Sequence, residues 1–195
     1  MRLGSQSGSA SPFPPAVREP VADGDLGIEQ TIRHMTRTMY GPQGIGSWVV
    51  RQAATEAVQG VERGQPEIDS VFNWVKDHIE FRGEAGEYLQ SPEATINLGA
   101  GDCDDQSTLV ATLLRSLGYQ TDFRTVAMRG SEEEYSHVYA VVQDKQTGQW
   151  IPLDTTVERA YPGWEPGQIA RERTYGAASG NNGGLLGRLL SRFSW

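Results

Sequence analysis

The single cysteine of the chain, Cys103, occupies a position where a reactive thiol is expected. It lies in the run GAGDCDD at residues 99–105, directly before leucines that recur at helical spacing. This pattern predicts that Cys103 lies in the first turn of a helix, where free backbone N–H groups and the helix dipole can lower a thiol pKa to roughly 3.5–7.5. The flanking aspartates act in the opposite direction, so a histidine is needed to accept the thiol proton.

A histidine and a further aspartate stand downstream at the ends of apolar runs. His137 opens the run that ends at Gln143, and Asp154 follows the run at residues 150–153. Turn residues at 145–148 predict that the two runs form an antiparallel hairpin, with His137 opposite roughly position 156. This register places Asp154 close to His137. Cys103 could then attack an acyl carbon, His137 could shuttle the proton, and Asp154 could orient the imidazole.

Two other interpretations of the cysteine region stay open at this stage. Cys103 could be an inert buried side chain, which is the usual state of a lone cysteine. A metal site built from Asp102, Asp104 and Asp105 is the weaker alternative, because the glycine and the later glutamate of a calcium loop are missing. We therefore expect no metal and no cofactor. The backbone N–H of Cys103 is one candidate oxyanion donor, and the sequence identifies no second one.

The elements that must position these residues follow from hydrophobic spacing. Helices are predicted from Leu26 to Met39, from Ser47 to Val61, from Pro66 to Ile79, as a short turn from Pro92, and through the leucines up to Leu117. Strands are predicted at 121–128, 137–143 and 150–153. Two further histidines are assigned structural roles: His34 lies off the apolar face of the first helix, and His78 is spaced to pack on Trp74.

Composition predicts one domain with extended ends. Residues 1–26 form a Pro/Gly/Ser-rich arm, residues 27–175 form the domain, and residues 176–195 form a linker with a short amphipathic tail. The net charge of −8 excludes a basic surface for nucleic acid. Since the sequence lacks a membrane-length apolar stretch and an apolar signal core, we expect a soluble protein that is made without a Sec-type signal peptide.

These motifs together resemble the transglutaminase-like superfamily. The resemblance runs from Ile68 to Pro166 and includes the segments 68–79, 91–92, 101–105, 136–138 and 150–154. It implies an α+β fold with a papain/transglutaminase-like core, in which N-terminal helices pack on a small antiparallel sheet and the nucleophile starts a helix. It also implies a Cys-His-Asp triad of Cys103, His137 and Asp154, acting without a cofactor.

The residues of these motifs are most similar to those of the small versions encoded by tailed bacteriophages and prophages. This resemblance implies synthesis in the cytoplasm of a bacterial host. Asp104 stands where the animal cross-linking enzymes have a tryptophan, so hydrolysis, deamidation and cross-linking all stay open. The resemblance implies a protein, peptide or peptidoglycan amide as substrate. A second hypothesis is a non-catalytic head or tail component of a phage virion, in which residues 1–26 and 185–195 contact other subunits.

Overall fold

The computed structural model describes residues 16–18, 24–83, 88–130 and 134–176. Within these residues, four helices surround a fifth, which packs against a four-stranded antiparallel sheet, and two short two-stranded sheets lie beside the helices. The predicted α+β class is therefore confirmed. Most of the predicted arm and all of the predicted tail beyond Gly176 lie outside the described residues, so the expectation that they contact virion subunits stays a prediction.

Four helices precede the cysteine: α1 (Gly24–Tyr40), α2 (Trp48–Ala57), α3 (Gln65–His78) and α4 (Pro92–Leu98). Serine side chains begin two of them, because Ser47 accepts from the N–H of Val50 and Ser91 accepts from the N–H of Ala94. The second helix was predicted to end at Val61, but it ends at Ala57. The chain then turns through Gly60, which has a left-handed backbone conformation.

One assignment on the first helix was wrong. His34 was placed off the apolar face, but it is buried in the structure, with Nδ1 3.2 Å from Nη2 of Arg37. The guanidinium gives the ring a polar partner, so the histidine can lie inside the apolar face at modest cost.

The helix that begins at the cysteine, α5 (Cys103–Ser116), lies at the centre of the fold. All four preceding helices and the main sheet pack around it. Leu109, Leu113 and Leu114 are fully buried, as the leucine spacing predicted. Because neighbours on every side hold this helix, its first residue has a fixed position.

The main sheet has the strand order β7-β6-β5-β8, all antiparallel. Its strands are β5 (Gln120–Met128), β6 (His137–Gln143), β7 (Trp150–Leu153) and β8 (Ile169–Gly176). The first three were predicted, and the β6–β7 hairpin is confirmed. The fourth was not predicted, because this edge strand carries three consecutive charged residues, 171–173, is mostly exposed or half-buried, and has no apolar alternation.

Two short strand pairs position the segments that precede Cys103. In one pair, β1 (Ala16–Arg18) runs antiparallel to β3 (Tyr88–Gln90), and in the other β2 (Glu80–Phe81) runs parallel to β4 (Ala100–Gly101). The first pair ties part of the predicted arm to the domain. The second leads directly into α5. Among the described residues, no helix combines the length and the apolar character that crossing a bilayer requires.

Candidate active site

Cys103 is the first residue of α5, as the sequence predicted. Asp102 is the N-cap: its side chain accepts from the N–H of Asp105, and the Asp105 side chain accepts in return from the N–H of Asp102. This reciprocal capping satisfies two backbone donors at the helix start. The backbone on both sides of the cysteine is thereby fixed.

A buried carboxyl group joins the helix start to β3. Asp105 accepts from the backbone N–H of Gln90 at 2.8 Å and from its side-chain amide at 2.6 Å. Burial raises the pKa of Asp105 to about 7, the Gln90 backbone bond opposes that rise, and the charge of Asp102 adds to it. Gly101 leaves room for this carboxyl, since a Cβ at Gly101 would lie 2.7 Å from Cβ of Asp105.

The β6–β7 hairpin brings the predicted histidine and aspartate together. Ala140 pairs with Leu153, and continuing this register puts Asp154 opposite Tyr139. His137 lies two residues before Tyr139, so His137 and Asp154 are diagonal neighbours on one face. Their side chains meet, with Nε2 of His137 2.7 Å from Oδ2 of Asp154.

The aspartate of this pair is held from its other side as well. Oδ1 of Asp154 accepts from the backbone N–H of Thr156 at 3.1 Å and from its hydroxyl at 2.6 Å. The Asp154 side chain is completely buried. Burial acts to raise its pKa, but the hydrogen bond and charge of His137 and the Thr156 bonds outweigh this and hold the pKa below its ordinary value. Asp154 is therefore ionised and fixed in orientation.

The first turn of α5 lies against the first residues of β6. The backbone of Val138, the residue after His137, lies close enough to the Cys103 thiol to act against the rise of its pKa. Ser107 reinforces this contact, since its hydroxyl lies within hydrogen-bond distance of the carbonyls of Cys103 and Val138. The helix and the strand thus hold the thiol beside the start of β6.

Cys103 and His137 open into the same cleft, whose volume is about 530 Å³ when its solvent-open part is included. Asp154 lies behind His137, away from solvent. The cleft is lined by Ile28, Thr31, Ile32, Asp102, Cys103, Asp104, Thr125, Tyr135, Ser136, His137 and Val138. The wall from α1 is apolar or neutral, and the floor at the helix start is acidic.

The environment of the thiol differs from the sequence prediction. Burial raises the pKa of Cys103 to about 12, and the charges of Asp104 and Asp102 add to that rise. The backbone bonds from Val138 and Asp104 lower it, but they do not outweigh burial. The predicted lowering by the helix start is therefore wrong for the thiol taken alone, so a thiolate requires a base that shares its proton.

Of the three histidines in the chain, His137 is the one that lines the cleft beside the thiol. The other two lie outside the cleft. His34 is buried beside Arg37, and His78 stacks on Trp74 with ring centroids 4.3 Å apart. The predicted packing of His78 on Trp74 is confirmed. Since Asp154 engages Nε2 of His137, Nδ1 is the nitrogen left to face the cleft.

A polar cluster behind the hairpin was not predicted. Tyr139 is buried on the same face as His137, with ring centroids 6.0 Å apart, and its hydroxyl donates to Glu165 at 3.1 Å. Glu165 also forms an ion pair with Arg124 of β5. The cluster ties the segment after Asp154 to the sheet. Its only trace in the sequence is a polar or aromatic residue within each buried run.

Comparison with known families agrees with this geometry. Residues 51–155 match the model of the transglutaminase-like superfamily, a span that contains Cys103, His137 and Asp154. The chain belongs to the transglutaminase-like superfamily. The match covers more than half of the chain and includes the helices α3 to α5 and the strands β5 to β7. No curated protein matches its sequence.

Solved structures resemble this transglutaminase-like chain in fold. One is a candidate cysteine protease from Cytophaga hutchinsonii, with a TM-score of 0.50, 19% identity, and coverage of 65% of this chain and 46% of that one. Another is a candidate protease from Parabacteroides distasonis ATCC 8503, with a TM-score of 0.53, 8% identity, and coverage of 75% and 29%. The chain therefore spans less than half the length of either relative, and the likeness shows a cysteine-protease-like fold.

Proposed function

We propose that this chain is a cysteine-dependent acyl transferase or amide hydrolase, in which Cys103 is the nucleophile, His137 the acid–base and Asp154 the orienting carboxylate. The observation that supports it most strongly is the hydrogen bond between His137 and the buried Asp154, next to the cleft that holds the thiol. A buried carboxylate fixes the imidazole in the tautomer with hydrogen on Nε2, which leaves Nδ1 able to accept a proton.

The reaction divides into two acyl transfers. In the first, the thiol proton moves to Nδ1 of His137 and sulfur attacks the amide carbonyl carbon, so that a carbon–sulfur bond forms. The carbon–nitrogen bond then breaks, and the amine leaves with the proton from His137. In the second, water or an amine gives its proton to His137 and attacks the thioester, which releases the acid or a new amide and restores the thiol.

The raised thiol pKa is compatible with this mechanism only if proton transfer accompanies attack. A thiol with a pKa of about 12 carries almost no free thiolate at neutral pH. The imidazolium that forms is stabilised by the ionised Asp154, so charge separation occurs between neighbouring groups and not in bulk solvent. The backbone N–H at the start of α5 supplies one donor to the developing oxyanion.

Peptide and peptidoglycan amides are the substrates that we propose to test first. The resemblance to phage-encoded members of the superfamily favours these classes. The cleft accepts a neutral or apolar group along α1, where Ile28, Thr31 and Ile32 line it. An anionic group would meet Asp102 and Asp104 close to the nucleophile, so we expect neutral amides to react in preference to acidic ones.

The test is capture of the acyl-enzyme. The full chain is incubated with casein peptides and with muropeptides, quenched in acid, and analysed by mass spectrometry for an acyl group on the peptide that contains Cys103. We expect an adduct and release of amine or ammonia in the wild type, and neither in Cys103→Ala. Release that persists in Cys103→Ala would overturn the proposal, as would the absence of both adduct and release with all these substrates.

A further inference from the structure

The start of α5 holds three potential metal ligands beside one another. One ligand atom from each of Asp102, Cys103 and Asp104 lies within 4.8 Å of the other two. Sulfur and oxygen ligands around a tetrahedral zinc ion lie about 3.3–3.7 Å apart, given bond lengths near 2.3 and 2.0 Å. The three atoms therefore lie at most about 1.5 Å further apart than a zinc ion would hold them.

The carboxyl group of Asp104 provides an independent sign of a missing partner. Its Oδ1 atom is buried and has no hydrogen-bond partner among the described residues. The residue is 6% exposed, and it lines the cleft beside the thiol. A buried acceptor without a donor is costly, and such an atom in a native structure points to an unseen water or ion.

Charge in the cleft also favours a cation. The carboxyl groups of Asp102 and Asp104 both lie beside the thiol in the lining of the cleft. None of the cleft-lining residues is a lysine or an arginine. A divalent cation between the two carboxyl groups would offset their negative charge.

The ligand types indicate which cation fits. A thiolate and two carboxylates suit zinc better than calcium or magnesium, because the hard cations take oxygen ligands and avoid sulfur. His137 lines the same cleft, and its Nε2 hydrogen-bonds to Asp154, as the second ring nitrogen of metal-bound histidines commonly does. This ligand set differs from the calcium loop considered in the sequence analysis. It includes Cys103, and it excludes Asp105, whose carboxyl accepts hydrogen bonds from Gln90.

We propose that Asp102, Cys103 and Asp104 form a zinc site that reversibly blocks the nucleophile. Binding forms a sulfur–zinc bond and releases the thiol proton to solvent, with no change of oxidation state. The bound thiolate can no longer attack an acyl carbon. Free zinc therefore acts as an inhibitor, and the inhibitory consequence rests on the proposed function.

The site can be tested without any substrate. The full chain, stripped with EDTA and dialysed, is titrated with Zn²⁺ by calorimetry and with Co²⁺ by absorption, where a thiolate-to-cobalt charge-transfer band reports a bond to Cys103. We expect one ion per chain, a charge-transfer band that Cys103→Ala lacks, and protection of Cys103 from iodoacetamide that EDTA reverses. Asp104→Asn and Asp102→Asn should each weaken Zn²⁺ binding by roughly tenfold or more, since each removes a direct ligand.

Asp77→Asn is the matched control, because Asp77 is exposed on α3 and does not line the cleft. It should bind Zn²⁺ as the wild type does. Equal affinity in the wild type, Asp102→Asn and Asp104→Asn would overturn the zinc site, as would a missing charge-transfer band in the wild type. Zinc binding with these properties but without acyl transfer would refute only the proposed function, and acyl transfer that zinc leaves unchanged would refute only the inference.

Discussion

Nε2 of His137 lies 2.7 Å from Oδ2 of Asp154, although the two residues are diagonal and not directly opposite in the β6–β7 hairpin. The register places Tyr139 opposite Asp154, and the side chains of His137 and Tyr139 share one face of the strand. The pair therefore depends on the hairpin register. A slip of one residue would turn Asp154 to the other face of the sheet.

The first prediction concerns Asp154 itself. Asp154→Asn keeps the shape of the side chain but removes the charge that stabilises a protonated His137, so acyl transfer should fall by roughly 10²–10⁴-fold. The rate of amine release from the best substrate measures this loss. Asp144→Asn is the control at the turn of the same hairpin, where Asp144 accepts from the N–H groups of Gln146 and Thr147. Equal rates in both variants would contradict the assigned role.

The second prediction concerns the threonine that holds the aspartate. Thr156→Val removes the hydroxyl donor to Oδ1 of Asp154, so the pKa of Asp154 should rise towards its ordinary value. A lowered carboxyl pKa stabilises the fold above the unfolded value of about 4, and this contribution is lost as pH falls through the folded pKa. Acid destabilisation of the variant should therefore begin at a higher pH than in the wild type.

Urea midpoints measured between about pH 6 and pH 3 test this shift. Thr55→Val serves as the control, because Thr55 is exposed on α2 and its hydroxyl donates to the backbone carbonyl of Arg51 and not to a carboxylate. If the urea midpoints of the wild type and Thr156→Val fall over the same acidic pH range, the hydroxyl does not act on Asp154.

The third prediction concerns the close approach at Gly101. Gly101→Ala would place a Cβ 2.7 Å from Cβ of Asp105 and 3.0 Å from its Oδ2, so the carboxyl that binds Gln90 must shift. We expect a loss of about 1–3 kcal/mol in unfolding free energy. Gly167→Ala, where a Cβ meets no atom within 4 Å, should cost far less. Similar urea midpoints for the two variants would show that the helix start tolerates the added atom.

The fourth prediction separates stability from chemistry behind the site. Tyr139→Phe removes the hydroxyl that donates to Glu165 but keeps the ring beside His137. It should lower the unfolding free energy by about 1–3 kcal/mol, because a hydrogen bond to a charged group is lost, and leave the rate of Cys103 alkylation nearly unchanged. Asp25→Asn, which breaks only the exposed pair with Arg171, should cost less than about 1 kcal/mol. The reverse order of stabilities would contradict this assignment.

The sequence predicted the parts of the fold that local patterns determine. Ser47 and Ser91 are side-chain caps, and the leucines after Cys103 mark a buried helix face, so these helices follow from their own residues. The hairpin also follows from local information, because the turn at 145–148 sets its register. His137 and Asp154 were placed together for that reason alone.

The rest depends on partners far apart in the chain. The edge strand β8 is charged and becomes a strand only because β5 offers it a free edge. The bond from Gln90 to Asp105 depends on how α5 packs against β3, and no spacing rule gives that contact. The burial that raises the thiol pKa likewise comes from the assembled cleft, so the helix start alone led to the wrong direction.

The most direct test of the account is the pH dependence of Cys103 alkylation by iodoacetamide, in EDTA, for the wild type and His137→Ala, followed by mass spectrometry of the modified peptide. Because burial and the charges of Asp104 and Asp102 raise the thiol pKa to about 12, the account predicts rapid alkylation of the wild type near neutral pH and almost none in His137→Ala below about pH 9. Equal rates in the two proteins, or a wild-type thiol that reacts only at alkaline pH, would contradict the Cys103–His137 pair and favour a non-catalytic role for this fold.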